Sequence, residues 1–275
     1  MTRIALFQST TGIHPDANRL ALEEAIAEAA GGGAEILFTP EMSGLLDRDS
    51  ARAAKNLRKE GDDEVLGACR QAARRHRIWL HIGSLAVLAE NGKVANRGFI
   101  IDREGEIRAR YDKLHLFDVD LPTGESWRES NVYSAGSGVV LVNGTPVGKL
   151  GLTICYDLRF PGLFARLAEA NADIIAVPAA FTVPTGKAHW HILLRARAIE
   201  AGLFVVAAAQ VGNHEDGRNT FGHSLVVDPW GEVLLDMGET KGVGFADIDL
   251  KRISDVRARI PALSHRRPIP DAVTL

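Results

Sequence analysis

The chain has 275 residues, 46% of them hydrophobic, enough to bury a large core as one big α/β domain or two smaller ones. A formal net charge of -3 leaves no basic footprint for nucleic acid or an anionic membrane, and the run Arg70 to Arg77 reads as a solvated helix face. Two cysteines, Cys69 and Cys155, make no disulfide framework and suit a reducing compartment.

The opening MTRIALFQST has no basic segment ahead of a long apolar one, so it reads as a strand, Ile4 to Phe7, rather than a signal peptide. A helix-like stretch from Pro15 to Ala30 follows, closed by Gly31 to Gly33, and then an apolar run from Ala34 to Phe38 before Pro40. A charged helical region is expected from about Ser50 to Arg77. Short strands come next at Trp79 to Leu85, Gly98 to Ile101 and Ile107 to Tyr111, the last two joined at Glu104-Gly105. Strands at Gly138 to Val142 and Val147 to Ile154 flank a turn at Asn143-Gly144, after which helix and strand alternate to Val211. The apolar stretches Ile174 to Val183 and Gly202 to Val211 are too short to span a bilayer, so a soluble, cytoplasmic protein is expected. No linker or repeat divides residues 1–275, which favours one domain, with the tail from about Arg252 packing outside it or on a partner subunit.

Three reactive residues each follow an apolar strand: Glu41 in AEILFTPEMSG, Lys113 in EIRARYDKLHLFD and Cys155 in GKLGLTICYDLRFPG. Strand ends are where α/β sheets gather ligands. A thiol between a strand and a helix starting near Pro161 would meet backbone N–H groups and a helix N-terminus, which lower its pKa and offer an oxyanion site. A glutamate can take the thiol proton, and an ammonium can stabilise a tetrahedral intermediate. Taken singly, the cysteine is more often a small buried hydrophobe and the two charges are more often surface groups or an ion pair. Sequence spacing does not bring them together.

These segments, with TPEMSG, YDKLHLFDVDLPTGESWRES, ICYDLRFPGLFARL, PAAFTVPTGKAHWHILLRARAIE and FGHSLVVDPWGEV, resemble the nitrilase (carbon-nitrogen hydrolase) superfamily over essentially the whole chain. The resemblance implies an α/β fold, a four-layer αββα sandwich, with Cys155 as nucleophile, Glu41 as general base, Lys113 as transition-state cation and Glu129 as a supporting carboxylate; Glu125 competes for the last role. It places the Tyr156 N–H at the oxyanion and Phe181 and His189 in the pocket, and it requires no metal or organic cofactor. Cys155-Tyr156-Asp157 is similar to the amidase side of the superfamily, where nitrilases carry Cys-Trp-Glu. The expected reaction is hydrolysis of a small-molecule carboxamide to carboxylate and ammonia through a thioester. Within the amidases, CYDLRFP, GKAHWHILLRARAIE and SHRRP are similar to the Nit proteins: deaminated-glutathione amidases first, ω-amidases of 2-oxo acid amides second. The resemblance also implies at least a homodimer. Arg159, Arg195 and Arg197 are candidate cations for a substrate carboxylate, although an arginine buried against Asp157 or Glu200 to hold the fold reads at least as well.

Other chemistries find less support. His189-Trp190-His191 has two histidines that do not share a helix face, which weakens a zinc site. Gly222-His223-Ser224 continues with Leu225-Val226, so no serine-hydrolase elbow is present, and no Walker or dinucleotide motif occurs. A thiol phosphatase would need arginine where Pro161 stands. A papain-like pair of Cys155 with His115 or His223, an acyl-transferring relative, a nitrilase and an inactive scaffold remain as alternatives.

Overall fold

The computed structural model describes residues 1–89, 92–120, 124 and 126–274, and its apolar segments assemble into two principal sheets. The first runs, edge to edge, through Gly242–Ile248, Thr2–Gln8, Ile36–Phe38, Trp79–Leu88, Val94–Ile101 and Ile107–Asp112, with Tyr133–Ser134 also paired to Val94–Ile101. The second runs through Val233–Asp236, Leu225–Val227, Phe204–Ala207, Ile174–Ala176, Gly148–Leu152 and Val140–Thr145. Each sheet has three parallel strands at its centre, flanked on both sides by antiparallel neighbours.

Side-chain alternation decides how the layers stack. Ile4, Leu6, Ile36 and Phe38 point toward the second sheet and share a core with Leu150, Leu152, Ile174 and Ala176. Their neighbours Ala5 and Leu37 point the other way, onto Leu22 and Ile26 of the helix Pro15–Gly31 and Leu66 and Ala73 of Glu64–His76. The second sheet is covered in turn by Pro161–Glu169, through Phe164 and Leu167, and by Val183–Ala201, through Trp190 and Leu194. The result is the αββα order expected. Central parallel strands covered on both faces must be apolar throughout, as Ile36-Leu37-Phe38 and Ile174-Ile175-Ala176 are.

Three expected elements differ in detail. The charged region after Ser50 is not one helix but Ser50–Ala54 and Glu64–His76, the second started afresh by Asp63, whose carboxylate accepts the Leu66 N–H at 2.8 Å. Asn143-Gly144 lies inside the strand Val140–Thr145. The turn is instead Pro146-Val147, because Thr145 pairs with Gly148 and its hydroxyl accepts the Val147 N–H, while Gly148 takes the left-handed φ of +78°. The tail begins with a helix, Lys251–Arg259, whose Ile253 and Val256 are buried, and is exposed over residues 264–274. Among the described residues no helix is long and apolar enough to cross a membrane.

One glycine lets the two halves meet at the site. Gly83 sits at an irregularity in the pairing of Trp79–Leu88 with Val94–Ile101, and a Cβ there would overlap the carbonyls of Thr39 and Pro40 and the ring of Pro178. These are backbone segments leading to Glu41 and Ala180, so they cannot yield without moving the site. Gly83→Ala is expected to destabilise the fold by about 1–3 kcal/mol, through overpacking, and to cut activity. Gly67→Ala, on a helix with nothing within 4 Å of the new methyl, should leave activity intact and hold or raise the melting temperature. Thermal unfolding of the two variants side by side checks this.

Candidate active site

Glu41, Lys113 and Cys155 come together between the two sheets, at the carboxyl ends of Ile36–Phe38, Ile107–Asp112 and Gly148–Leu152. The Lys113 ammonium donates to Glu41 Oε1 at 2.9 Å and to Glu129 Oε2 at 2.9 Å and Oε1 at 3.1 Å. Lys113 is 2% exposed, Glu41 5% and Cys155 8%, so the cluster meets solvent only through its cavity. The Cys155 thiol hydrogen-bonds the Glu41 carboxylate.

Supporting groups fix each member. Asn96 donates to Glu41 Oε1 at 2.9 Å and to Glu129 Oε1 at 3.2 Å, and the Ala180 N–H donates to Glu41 Oε2 at 3.0 Å. Gln210 holds the Glu41 carbonyl at 2.9 Å, and Met42 beside it takes the left-handed φ of +58°. Cys155 itself has φ +49°, a conformation costing a non-glycine residue about 1–2 kcal/mol, and its N–H is tied to the Pro178 carbonyl at 2.8 Å. The turn Cys155–Arg159 is stapled by Asp157, fully buried, which accepts the Ile154 N–H, the Tyr111 hydroxyl, the His115 N–H and the His115 ring at 2.6 to 3.0 Å. One carboxylate thus locks the turn carrying Cys155 to the segment carrying Lys113.

Burial works against the Glu41 carboxylate, yet the Lys113 charge and the hydrogen bonds from Cys155, Lys113 and Asn96 prevail and hold it below its usual 4.5. Burial also works against the ammonium, but Glu129 and Glu41 raise it well above 10.5. For Cys155, burial first and the Glu41 carboxylate second push the thiol well above its usual 9.0, outweighing Lys113 and the Ala180 N–H. The expectation of a thiol activated by its turn is therefore corrected: at neutral pH the resting group is a thiol hydrogen-bonded to a carboxylate.

A cavity of about 640 Å³ opens on the cluster and is lined by Cys155, Tyr156, Glu41, Lys113, Glu129 and Phe181 among others. Among the described residues the Tyr156 N–H donates to no protein acceptor. Phe181 packs on Trp190 with ring centroids 4.7 Å apart. His189 does not line the cavity; it is exposed, and its Nδ1 accepts from both Nη atoms of Arg159 at 3.3 Å. His191, two residues on, turns instead to Asp236 at 2.9 Å. Arg195 donates to the Gly231 carbonyl and Arg197 to the Leu158 carbonyl and Glu200, so of the three candidate arginines only Arg159 reaches the cavity. Glu125 lies outside the described residues. His115 is engaged by Asp157 and His223 by Asp236, which leaves Glu41 as the thiol's partner in place of a histidine.

Residues 3–258 match the family model described as carbon-nitrogen hydrolase. The chain is 38% identical over 273 residues to the deaminated glutathione amidase of Yersinia enterocolitica, covering 98% of this chain and 94% of that protein. Its structure superimposes on the Caenorhabditis elegans NitFhit protein with a TM-score of 0.89 at 39% identity, over 97% of this chain and 65% of the other. It also superimposes on an amidase of the nitrilase superfamily from Nesterenkonia sp. AN1 (TM-score 0.79, 28% identity, 95% and 98% coverage), seen with acrylamide added to its active-site cysteine. With fold, sequence and the Glu41, Lys113 and Cys155 cluster in agreement, the chain belongs to the carbon-nitrogen hydrolase family, within the nitrilase superfamily.

Proposed function

We propose that this enzyme hydrolyses a small-molecule amide through a Cys155 thioester, and that deaminated glutathione, or an amide closely like it, is its substrate. The meeting of Cys155, Glu41 and Lys113 in one buried cluster facing a single cavity carries the reading. Glu41 takes the thiol proton as sulfur adds to the amide carbonyl, so no free thiolate has to exist beforehand. Lys113 and the Tyr156 N–H receive the developing oxyanion. Collapse expels the amine, which leaves with the proton from Glu41. A water that Glu41 deprotonates then cleaves the thioester and returns the thiol.

The relative's name supports the substrate class, and the leaving group follows from its chemistry. In deaminated glutathione the amide joins a 2-oxo acid to a peptide amine, so an amine departs; ammonia departs only from a primary carboxamide such as 2-oxoglutaramate, the ω-amidase substrate. None of these steps routes through a metal or an organic cofactor, and the two unpaired cysteines fit a cytoplasmic enzyme.

The same reading includes a homodimer. Ile192 and Ile199, seven residues apart and hence on one helix face, are 69% and 53% exposed, and Ile199 packs over Gly231, beside exposed Trp230, Val233 and Leu234. An apolar face of this kind, rimmed by Arg195 and His191, suits a second copy of the chain.

Cys155→Ala is expected to abolish release of the 2-oxo acid product while leaving the melting temperature nearly unchanged, measured by product chromatography and calorimetry; retained turnover would overturn the mechanism. Lys113→Met strands the buried Glu41 carboxylate beside the partly buried Glu129 and should cost about 3–5 kcal/mol. The wild-type ion pair contributes above the usual glutamate pKa of 4.5 and below the usual lysine pKa of 10.5. In Lys113→Met the Glu41 carboxylate loses the charge that opposes its burial and instead titrates high, so stability should be greater at pH 5 than at pH 8, the reverse of an acid-sensitive fold; melting curves at the two values decide it. Ile192→Asp with Ile199→Asp should shift the protein to a monomer by light scattering. An unchanged mass would reject this face as the interface.

A further inference from the structure

Away from the catalytic cavity, three side chains with metal-binding atoms converge at one edge of the second sheet. His191 comes from the helix Val183–Ala201, His223 from the loop after Asn219–Phe221 and Asp236 from the end of the edge strand Val233–Asp236, and none of them lines the cavity. Among the described residues they are the one group of three such side chains whose ligand atoms meet, all within 4.8 Å of one another. Asp236 Oδ2 is the shared atom, 2.9 Å from His191 Nε2 and 3.2 Å from His223 Nδ1. The other oxygen, Oδ1, accepts the Gly238 N–H at 2.9 Å, which fixes the plane of the carboxylate, and lies 2.9 Å from His223 Nδ1.

The two imidazoles are held from behind. His223 takes the left-handed φ of +55°, with its N–H on the Gly238 carbonyl at 2.7 Å and its own carbonyl accepting the indole N–H of buried Trp190 at 2.8 Å. Phe221 stacks on the His223 ring with centroids 4.4 Å apart and meets the His191 ring edge-on at 6.2 Å. A zinc ion bonded at about 2.0–2.1 Å sets tetrahedral neighbours about 3.3 Å apart. Both separations from Asp236 Oδ2 are close to that, and the imidazoles, each partly exposed, have room to swing and close the third side. A plain hydrogen-bonded trio is the competing reading, and at partly exposed positions it contributes little. Two nitrogens and one carboxylate oxygen suit a borderline ion such as Zn²⁺ over Mg²⁺ or Ca²⁺, which take oxygen ligands.

We propose that His191, His223 and Asp236 form a binding site for a divalent transition-metal ion of the zinc class, with water in the fourth position, which ties the helix Val183–Ala201 to the edge of the second sheet. Each neutral imidazole coordinates through the nitrogen nearest Asp236 and keeps its hydrogen on the other ring nitrogen, so binding needs no net loss of protons. The ion takes no part in amide hydrolysis, and the site stands whether or not the amidase reading does. His189-Trp190-His191 thus supplies one ligand rather than two: the His189 ring goes to Arg159, and the partners of His191 come from later in the chain.

The test titrates metal-stripped protein with Zn²⁺ by calorimetry and with Co²⁺ by visible absorption, on wild type, His191→Ala, Asp236→Asn, His189→Ala and Cys155→Ala. Wild type, His189→Ala and Cys155→Ala should each bind one ion per chain, showing the d–d bands of tetrahedral Co²⁺ without the near-ultraviolet charge-transfer band of a thiolate ligand. Zn²⁺ should also raise their melting temperatures, because it binds the folded chain. In His191→Ala the affinity should fall about 100-fold or more, since even a partner that only supports a metal ligand is worth about 10- to 100-fold, and the melting temperature should no longer respond to Zn²⁺. Asp236→Asn, which keeps the shape and loses the charge, should fall likewise. His191 is partly exposed on a helix, so His191→Ala without metal should melt close to wild type, which separates lost binding from lost folding. No bound ion in wild type, undiminished binding in His191→Ala, or a single bound ion whose thiolate band vanishes in Cys155→Ala would each overturn the proposal, the last by placing the metal at Cys155.

Discussion

Everything at this site depends on one buried ammonium shared by two carboxylates. Lys113 is 2% exposed, and a lone charge so placed would be neutralised by its own desolvation. Glu41 and Glu129, each 2.9 Å away, keep it charged, and it in turn keeps Glu41 ionised against the same burial penalty. Burial first, and the Glu41 carboxylate second, then keep the neighbouring thiol protonated. In the proposed mechanism, a carboxylate held ionised next to a thiol held neutral is the starting state for concerted proton transfer and attack. It also keeps the thiol from reacting on its own, since the thiolate is the reactive form.

The two sheets supply opposite halves of this arrangement. Glu41 and Lys113 come from strand ends of the first sheet and Cys155 from the second, so the distance between them is set by how the sheets pack. Four contacts across the interface do the fixing: Asp157 to Tyr111 and to His115, Ala180 N–H to Glu41, and Gln210 to the Glu41 carbonyl. Gly83, with no side chain to intervene, lets the Thr39-Pro40 and Pro178 segments close up. The catalytic distances are thus consequences of core packing, and packing at this density transmits even a methyl group's error.

Much of this was legible before any coordinates. Strands such as Ile4 to Phe7 and Ala34 to Phe38 announce themselves because a strand covered on both faces has no room for polar residues, and Pro15 and Pro161 mark helix starts by their fixed φ. Glu41, Lys113, Cys155 and Glu129 were readable from motif resemblance, but their meeting was not, since three of them are separated by tens of residues and joined only by the sandwich. Asn96, Ala180 and Gln210 went unseen for a different reason: an amide side chain in a strand and a backbone N–H carry no local signal of what they will face. His189 stood in the pocket motif yet contacts Arg159 instead, because on a helix the neighbour of an inward residue points elsewhere. The Asn143-Gly144 turn failed because pairing of Thr145 with Gly148 outweighs a dipeptide preference. The thiol's ionisation was misjudged because the field of Glu41 adds to burial, and neither is visible in a strand-to-helix turn alone.

The second glutamate has a reason in charge bookkeeping over the proposed reaction. When Glu41 accepts the thiol proton it becomes neutral, and Lys113 would be left as an isolated buried cation if Glu41 were its sole partner. Glu129, anchored by the Phe117 N–H at 2.7 Å as well as by Lys113 and Asn96, keeps its negative charge through that step. The oxyanion then takes over the place that the Glu41 charge vacated, so the cluster holds one net negative charge before attack and one after. Charge moves from one oxygen to another across the same ammonium, with no change in the total that the surrounding protein must solvate. Fixed groups can stabilise both states with little reorganisation, the condition under which a low-dielectric site lowers a barrier most. The same count explains the hydrogen bonds on Glu41: Oε1 is held by Lys113 and Asn96, whereas Oε2 receives the Ala180 N–H and has a second lone pair for the proton.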